Sequence, residues 1–173
     1  MKKFFLLILA GLPFLPVLSA ETVNPVSVKA ETLRKQGNFS EAQKLLEDAL
    51  KKSPNDPDIL FELGMIHQKS ATPDMLMSNA SAGKSSIALA KKYFHQVLKI
   101  NPRHAPALAQ LADTYLFEDD FKKALYLANK SISIDRNLSL PYRVRGYTYI
   151  ALGYPEKASS DFTQYLKKDD DFR

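Results

Sequence analysis

The chain has 173 residues, of which 45% are hydrophobic and 25% are charged, with 10 Pro and 6 Gly. This length and composition are typical of one globular or repeat domain, and they exclude a chain that is disordered throughout. There is no Cys and there are only three His. A disulfide scaffold, a zinc–thiolate site and a thiol nucleophile are therefore excluded, and ordinary metalloenzymes are disfavoured. The formal charge of +5 falls to +3 without Lys2 and Lys3, which is too small to indicate a nucleic-acid partner.

The first twenty residues have the layout of a secretory signal peptide. Lys2 and Lys3 precede an uncharged apolar stretch over 4–18, and small residues at Ser19 and Ala20 follow it. The apolar stretch is shorter than the roughly 20 residues of a spanning helix and contains Pro, so we expect cleavage after Ala20, with Ser19 as the alternative, and no stable membrane span afterwards. An uncleaved N-terminal anchor is the competing interpretation. An exported chain without Cys is expected in a bacterial periplasm, with secretion as the alternative.

Small residues recur along the chain at a fixed spacing. The interval from Ala90 to Ala124 equals the interval from Ala124 to Ala158. The interval from Ala42 to Ala90 is longer. One repeat period, interrupted by a single insertion in the second unit, explains all three intervals. The period is that of a roughly 34-residue helix–turn–helix unit, which buries its apolar face only by stacking on its neighbours.

The residues within one period fit two antiparallel helices. Gly37-Asn38 separates two stretches with helical periodicity, and Pro54 ends the second stretch. Small residues such as Gly64 and Ala112 allow close approach of two helices, and aromatic residues fill the space beside them.

In these features the chain resembles the tetratricopeptide-repeat (TPR) family. The first unit carries the family pattern at Ala30, Leu33, Gly37, Phe39, Ala42, Leu46, Ala49 and Pro54. The resemblance implies an all-α fold, a right-handed α-solenoid of antiparallel helix pairs with about four TPR-like repeats. We place the signal peptide at 1–20 and the repeat domain at 21–173, with repeats at about 23–56, 57–104, 105–138 and 139–172.

The insertion falls in the second repeat, at roughly 69–83. Met75, Leu76 and Met77 are expected to anchor a short helical turn, and the small, polar segment 78–86 suggests a mobile loop before the next helix. Two interpretations stay open: an elaboration that binds a partner, since unbranched Met side chains adapt to varied surfaces, or a tolerated surface loop.

No acid–base or metal-binding residues converge in the sequence, so we predict no catalysis, no cofactor and no metal site. The resemblance implies instead a protein-binding adaptor, scaffold or assembly factor, whose concave wall grips an extended peptide or a partner helix. The family pattern assigns Ser27 and Ala109 to that wall, together with the candidate binding residues Glu31, Arg34, Phe61, Met65, Gln68, Asp113, Leu116, Arg143, Tyr147 and Ile150. Apolar anchors among them would supply affinity and isolated charges would set register. The competing interpretation is that the apolar residues only pack between repeats.

The end of the chain suggests a second function. The last predicted helix carries Phe162, Tyr165 and Leu166, and no polar capping helix follows it. An uncapped apolar face predicts a structural homo-oligomer or docking onto a larger partner. Polar neighbours along the same helix allow the opposite interpretation, in which the outer side is simply solvated.

Overall fold

A computed structural model of the chain describes residues 23–70 and 80–169, and within these ranges it contains eight α-helices and no strand. The expected signal peptide at 1–20 and the expected turn over 75–77 lie outside the described residues. The helices are α1 Pro25–Lys35, α2 Phe39–Lys52, α3 Pro57–Ser70, α4 Ala80–Ile100, α5 Ala105–Phe117, α6 Phe121–Ile134, α7 Leu140–Ala151 and α8 Pro155–Lys168.

Local sequence explains where the helices begin and end. The Asn24 side chain accepts a hydrogen bond from the Val26 N–H at the start of α1, and Pro25 follows at a position where a helix needs no N–H donor. The turns within the first and fourth helix pairs contain Gly37 and Gly153, which have φ angles of +82° and +80°. These angles lie in the left-handed region of backbone conformation. In the turn of the third pair, Asp119 occupies the same region, with a φ angle of 59°. Asp is among the few residues with a side chain that visit this region.

The eight helices form four antiparallel pairs, each pair packed on the next. Among the first helices of the pairs, α1 packs on α3 and α5 packs on α7, whereas no two of the second helices α2, α4, α6 and α8 form a packed pair. A curved stack brings neighbouring helices together on its inner side and separates them on its outer side. The first helices therefore line the concave wall, and the second helices form the convex surface.

The core follows the repeat that the sequence predicted. Ala42, Ala90, Ala124 and Ala158, whose spacing revealed the period, are all completely buried. Apolar clusters join successive pairs: one holds Leu46 and Leu63, and the next holds Phe94 and Leu111. Because each cluster takes residues from two neighbouring pairs, no pair buries its apolar face alone.

The inserted residues differ from the expectation in one respect. Helix α4 begins at Ala80 and has 21 residues, whereas α2, α6 and α8 each have 14. The part of the predicted mobile loop that the structure describes, 80–86, is therefore helical, and that prediction was wrong. The apolar period of α4 continues upstream through Ile87 to Gly83, both buried, so these roughly two extra turns of helix have a face to pack.

Candidate functional site

The concave wall holds the residues that the sequence assigned to partner binding, and they differ widely in exposure. Ser27, Met65 and Ala109 are buried, whereas Tyr147 and Ile150 are each 51% exposed. The others are partly buried: Glu31, Arg34, Phe61, Gln68, Asp113, Leu116 and Arg143. The wall thus divides into an N-terminal cleft, a central polar network and an exposed apolar C-terminal end.

The N-terminal cleft has a volume of about 220 Å³ and lies among α1, α3 and the start of α5. Phe61 forms part of its wall, with its ring 5.1 Å from the ring of His104. Phe61 is far bulkier than Ser27 and Ala109, its equivalents in the first and third repeats, and α3 does not form a packed pair with α5. The rest of the lining comes from Val23, Ser27, Val28, Glu31, Asp58, Glu62 and Pro106.

A buried ion pair joins the first two repeats beside this cleft. Arg34 Nε lies 2.9 Å from Glu62 Oε2, and the two side chains are 10% and 8% exposed. Burial raises the pKa of the Glu62 carboxyl, against the opposing effect of the nearby Arg34 guanidinium. Glu62 could not be recognised from sequence patterns, because its contact with Arg34 joins two distant positions whose juxtaposition depends on how the repeats stack.

A polar network crosses the centre of the wall and joins the last three repeats. The Gln68 amide donates a hydrogen bond to Asp113 Oδ2 at 3.2 Å, and Arg143 donates to Asp113 Oδ1 at 3.0 Å. Burial raises the pKa of Asp113, again against the effect of the arginine. The sequence suggested that Asp113 and Arg143 are isolated charges. In the structure they form an ion pair, and each neutralises the other across a repeat boundary.

The C-terminal end of the wall presents apolar side chains to solvent. Tyr147 and Ile150 lie one helical turn apart on α7, and the Tyr147 ring meets Phe162 edge-on at 5.1 Å. This contact with α8 fixes the tyrosine while leaving half of its surface open. A rigid, half-exposed aromatic side chain is well suited to bind another chain, because it loses little conformational entropy when a partner covers it.

The terminal helix α8 differs from the sequence expectation at two of its three named residues, Phe162 and Tyr165, which are partly buried. Phe162 packs against α7 at Gly146, where an added Cβ would lie 2.8 Å from its ring, so it fills the space between the two helices. Tyr165 is partly buried, and a hydrogen bond with Asp169 raises the pKa of its hydroxyl. Leu166 is 54% exposed. The terminal apolar surface therefore centres on Leu166 and excludes most of Phe162.

Two of the three histidines, His67 and His104, have structural positions in the described part of the chain. The His67 ring stacks on Tyr93, with 5.6 Å between the ring centroids, and burial lowers the pKa of His67. His104 caps α5, with its Nδ1 accepting a hydrogen bond from the Ala107 N–H. Among the described residues, no three His, Asp or Glu side chains are grouped so as to hold a metal ion. The same residues include no helix that is both long and apolar enough to cross a bilayer.

Comparison with known proteins supports the repeat architecture. Residues 27–66 match the sequence model of the family described as tetratricopeptide repeat. No curated protein matches the chain significantly. Among solved structures, pilF of Pseudomonas aeruginosa is similar with a TM-score of 0.67 at 16% identity, over 83% of this chain and 60% of that one. A structure of MamA MSR-1 is similar with a TM-score of 0.58 at 17% identity, over 86% of this chain and 77% of that one. At these identities the likeness concerns the fold.

Proposed function

We propose that this chain, which matches the tetratricopeptide-repeat family over 27–66 and folds as stacked helix pairs, is a non-catalytic interaction module that binds an extended peptide or a partner helix in its concave groove. In this role it acts as an adaptor, scaffold or assembly factor. The observation that carries the proposal is the half-exposed pair Tyr147 and Ile150 on the inner wall. Apolar side chains on the concave side of a helical stack are the features that a partner's side chains would cover.

The charges of the groove support a particular kind of ligand. Arg34 and Arg143 are already paired with Glu62 and Asp113, so they contribute little attraction to an anionic partner. Removing either arginine from its partner would also leave a poorly hydrated carboxylate behind, which opposes exchange of the internal pair for an external one. Binding therefore depends mainly on apolar and aromatic side chains of the partner.

The N-terminal cleft provides a second contact point at the other end of the groove. Its apolar lining includes Val28, which is 49% exposed, and the ring of Phe61. A ligand that reaches both this cleft and Tyr147 must span three repeats in an extended or helical form. We expect the apolar anchors of this ligand to be separated by the distance between the N-terminal cleft and Tyr147.

We place this binding after export. The basic start, the apolar stretch over 4–18 and the small residues at Ser19 and Ala20 support a cleaved signal peptide. The periplasm of a bacterium is the proposed location, with secretion as the alternative. Sequencing the N-terminus of the protein from its native host tests this step, because a chain that begins with Met1 contradicts it.

Photocrosslinking at two matched tyrosines tests the groove. Benzoylphenylalanine in place of Tyr147 should capture a partner in the native envelope fraction, whereas the same group in place of Tyr126, which is 65% exposed on the outer helix α6, should not. Tyr147→Ala combined with Ile150→Ser should reduce recovery of that partner by about tenfold or more, as for central apolar anchors of an interface. Equal capture at both positions, or full recovery with the double variant, contradicts the proposal.

A homo-oligomer formed through the last repeat is the second candidate. Exposed apolar residues concentrate at this end of the molecule, and they include Leu152, Tyr154 and Leu166. Light scattering of the wild type and of Leu166→Asp distinguishes the two functions. A symmetric oligomer that the substitution dissociates, with no partner captured at Tyr147, favours self-assembly.

A further inference from the structure

The convex surface carries a charge pattern that groove binding does not explain. Helices α4 and α6 together contain seven lysines and no acidic residue. The neighbouring outer helix α2 has as many acidic as basic residues, and α8 also contains both kinds. The excess positive charge of the chain is therefore concentrated on the outer face of the second and third repeats.

Most of these lysines have no ion-pair partner among the described residues. Lys91 pairs with Glu118 and Lys123 with Asp120, at the turn before α6. The described part of the chain offers no such partner to the other five, which are mainly exposed: Lys84, Lys92, Lys99, Lys122 and Lys130. Their charge is thus available to an external anionic surface.

Apolar side chains are exposed among these lysines. Lys122, Tyr126 and Lys130 follow one another at every fourth position, so they form one stripe along α6. Tyr126 is 65% exposed in the middle of that stripe. On α4, Leu89 and Ile100 are 39% and 43% exposed. Basic residues mixed with exposed aromatic and aliphatic residues are the composition of helices that lie at a membrane interface.

We infer that the convex face of α4 and α6 binds the surface of a bilayer rich in anionic lipids. The lysines would lie at the level of the phosphate groups, with their apolar stems partly buried in the headgroup layer. Tyr126, Leu89 and Ile100 would enter the interfacial region, where apolar surface is removed from water. A sugar–phosphate backbone attracts the same lysines but gives these apolar residues no comparable environment, so the observations favour a membrane over nucleic acid.

This assignment leaves the concave groove open. The inner helices α1, α3, α5 and α7 face away from the convex surface, so a membrane-bound molecule can hold a partner at the same time. The inference therefore stands independently of the proposed groove function. Failure of one does not imply failure of the other.

Cosedimentation with vesicles tests the inference with two charge-reversal variants of the full chain. The test variant reverses four lysines of α4 and α6, and the control reverses four lysines of α1 and α2, which makes the same change in net charge and keeps the same N-terminus. The test positions are Lys92, Lys99, Lys122 and Lys130, and the control positions are Lys29, Lys44, Lys51 and Lys52, all changed to Glu.

We expect the wild type to prefer phosphatidylcholine vesicles that contain phosphatidylglycerol over vesicles of phosphatidylcholine alone. The test variant should bind the anionic vesicles about 600-fold more weakly or worse, since each of the four lysines near such a surface contributes roughly fivefold, whereas the control should lose less than about tenfold. Circular dichroism confirms that both variants are folded. Equal losses, no preference for anionic vesicles, or tighter binding to duplex DNA at the same salt concentration would overturn the inference.

A fluorescent reporter locates the contact without changing the charge. The chain contains no Trp, so Tyr126→Trp introduces a single indole on the convex face. Its emission should shift to the blue when anionic vesicles are added, because the ring leaves water. Tyr147→Trp, on the concave wall, is the matched control and should not shift. A shift of the control alone, or of neither variant, contradicts the assignment of the convex face.

Discussion

Within the helix pairs, the size of the residue at one position on the first helix can be compared with the size of the residue that faces it on the second helix. Gly64 faces Phe94, and Gly146 faces Phe162. At the equivalent positions, the third repeat has Ala112 with Ala128 in one apolar cluster, and the first has Ala30 with Leu46 in another. Glycine with phenylalanine and alanine with leucine thus fill a similar space at close-packed density, whereas the third repeat has two small residues at these positions.

Gly64→Ala should destabilise the protein although alanine favours a helix. A Cβ at this position would lie 2.5 Å from Phe94 Cε1, and Phe94 is completely buried, so the ring has little room to move. We expect the free energy of unfolding to fall by about 1–3 kcal/mol. Urea denaturation measures this change.

The first repeat suggests the matched rescue. Phe94→Leu combined with Gly64→Ala recreates the Ala30–Leu46 pair and should recover part of the lost stability. Gly146→Ala should cost less than Gly64→Ala, because Phe162 lies at the end of the molecule and is only partly buried. A stabilising effect of Gly64→Ala, by the roughly 1 kcal/mol that helix propensity alone provides, would show that the close approach does not constrain the fold.

At the scale of the helices, a buried ion pair replaces an apolar contact in the last repeat. Arg145 donates two hydrogen bonds to the Asp161 carboxylate, at 2.8 and 2.6 Å, and so joins α7 to α8. The equivalent positions one repeat earlier are Leu111 and Leu127. The last helix pair therefore uses charges where the third uses leucines, and Asp161 is only 3% exposed.

Asp161→Leu alone should therefore lower the free energy of unfolding by about 3 kcal/mol, because it leaves the Arg145 guanidinium partly buried without its carboxylate. Arg145→Leu with Asp161→Leu should restore stability close to that of the wild type, since it recreates the pair of the preceding repeat. Thermal unfolding of the single and double variants measures both effects. If the double variant is as unstable as the single one, the two repeats do not share equivalent packing at these positions.

At the scale of the whole molecule, stability should vary along the stack. Helices α3 and α5 each contain seven buried residues, whereas α1, α2 and α8 each contain two. In a repeat protein each unit is stabilised by its neighbours, so units at the ends have fewer stabilising contacts.

Hydrogen exchange followed by mass spectrometry should reveal this gradient. We expect the slowest exchange in α3 and α5, and exchange that is at least about tenfold faster in α1 and α8. This difference corresponds to a local opening that costs about 1.4 kcal/mol less at the ends. Equal protection of all helices would mean that the stack unfolds as a single cooperative unit.

The overall stack was predictable because its signals are local and repeated. The regular spacing of the alanines indicates helix pairs, and Gly37 and Gly153 mark turns that need a left-handed residue. The described start of α4 was mispredicted, since small polar residues over 80–86 resemble a loop unless the buried Gly83 is recognised as part of a packed face. Short-range composition does not reveal such packing.

The sequence alone determined the all-α repeat architecture, because the architecture follows from periodicity along one chain, and the resemblance to the repeat family implied which residues face the inner wall. The tertiary structure decided which of those residues are available for binding. Arg34, Asp113 and Arg143 are neutralised by partners in neighbouring repeats, while Tyr147 and Ile150 are exposed. These pairings join residues that lie almost one repeat apart in the chain, and the curvature of the stack brings them within hydrogen-bonding distance. That curvature arises from how side chains of different size pack between helices, which no single stretch of sequence encodes.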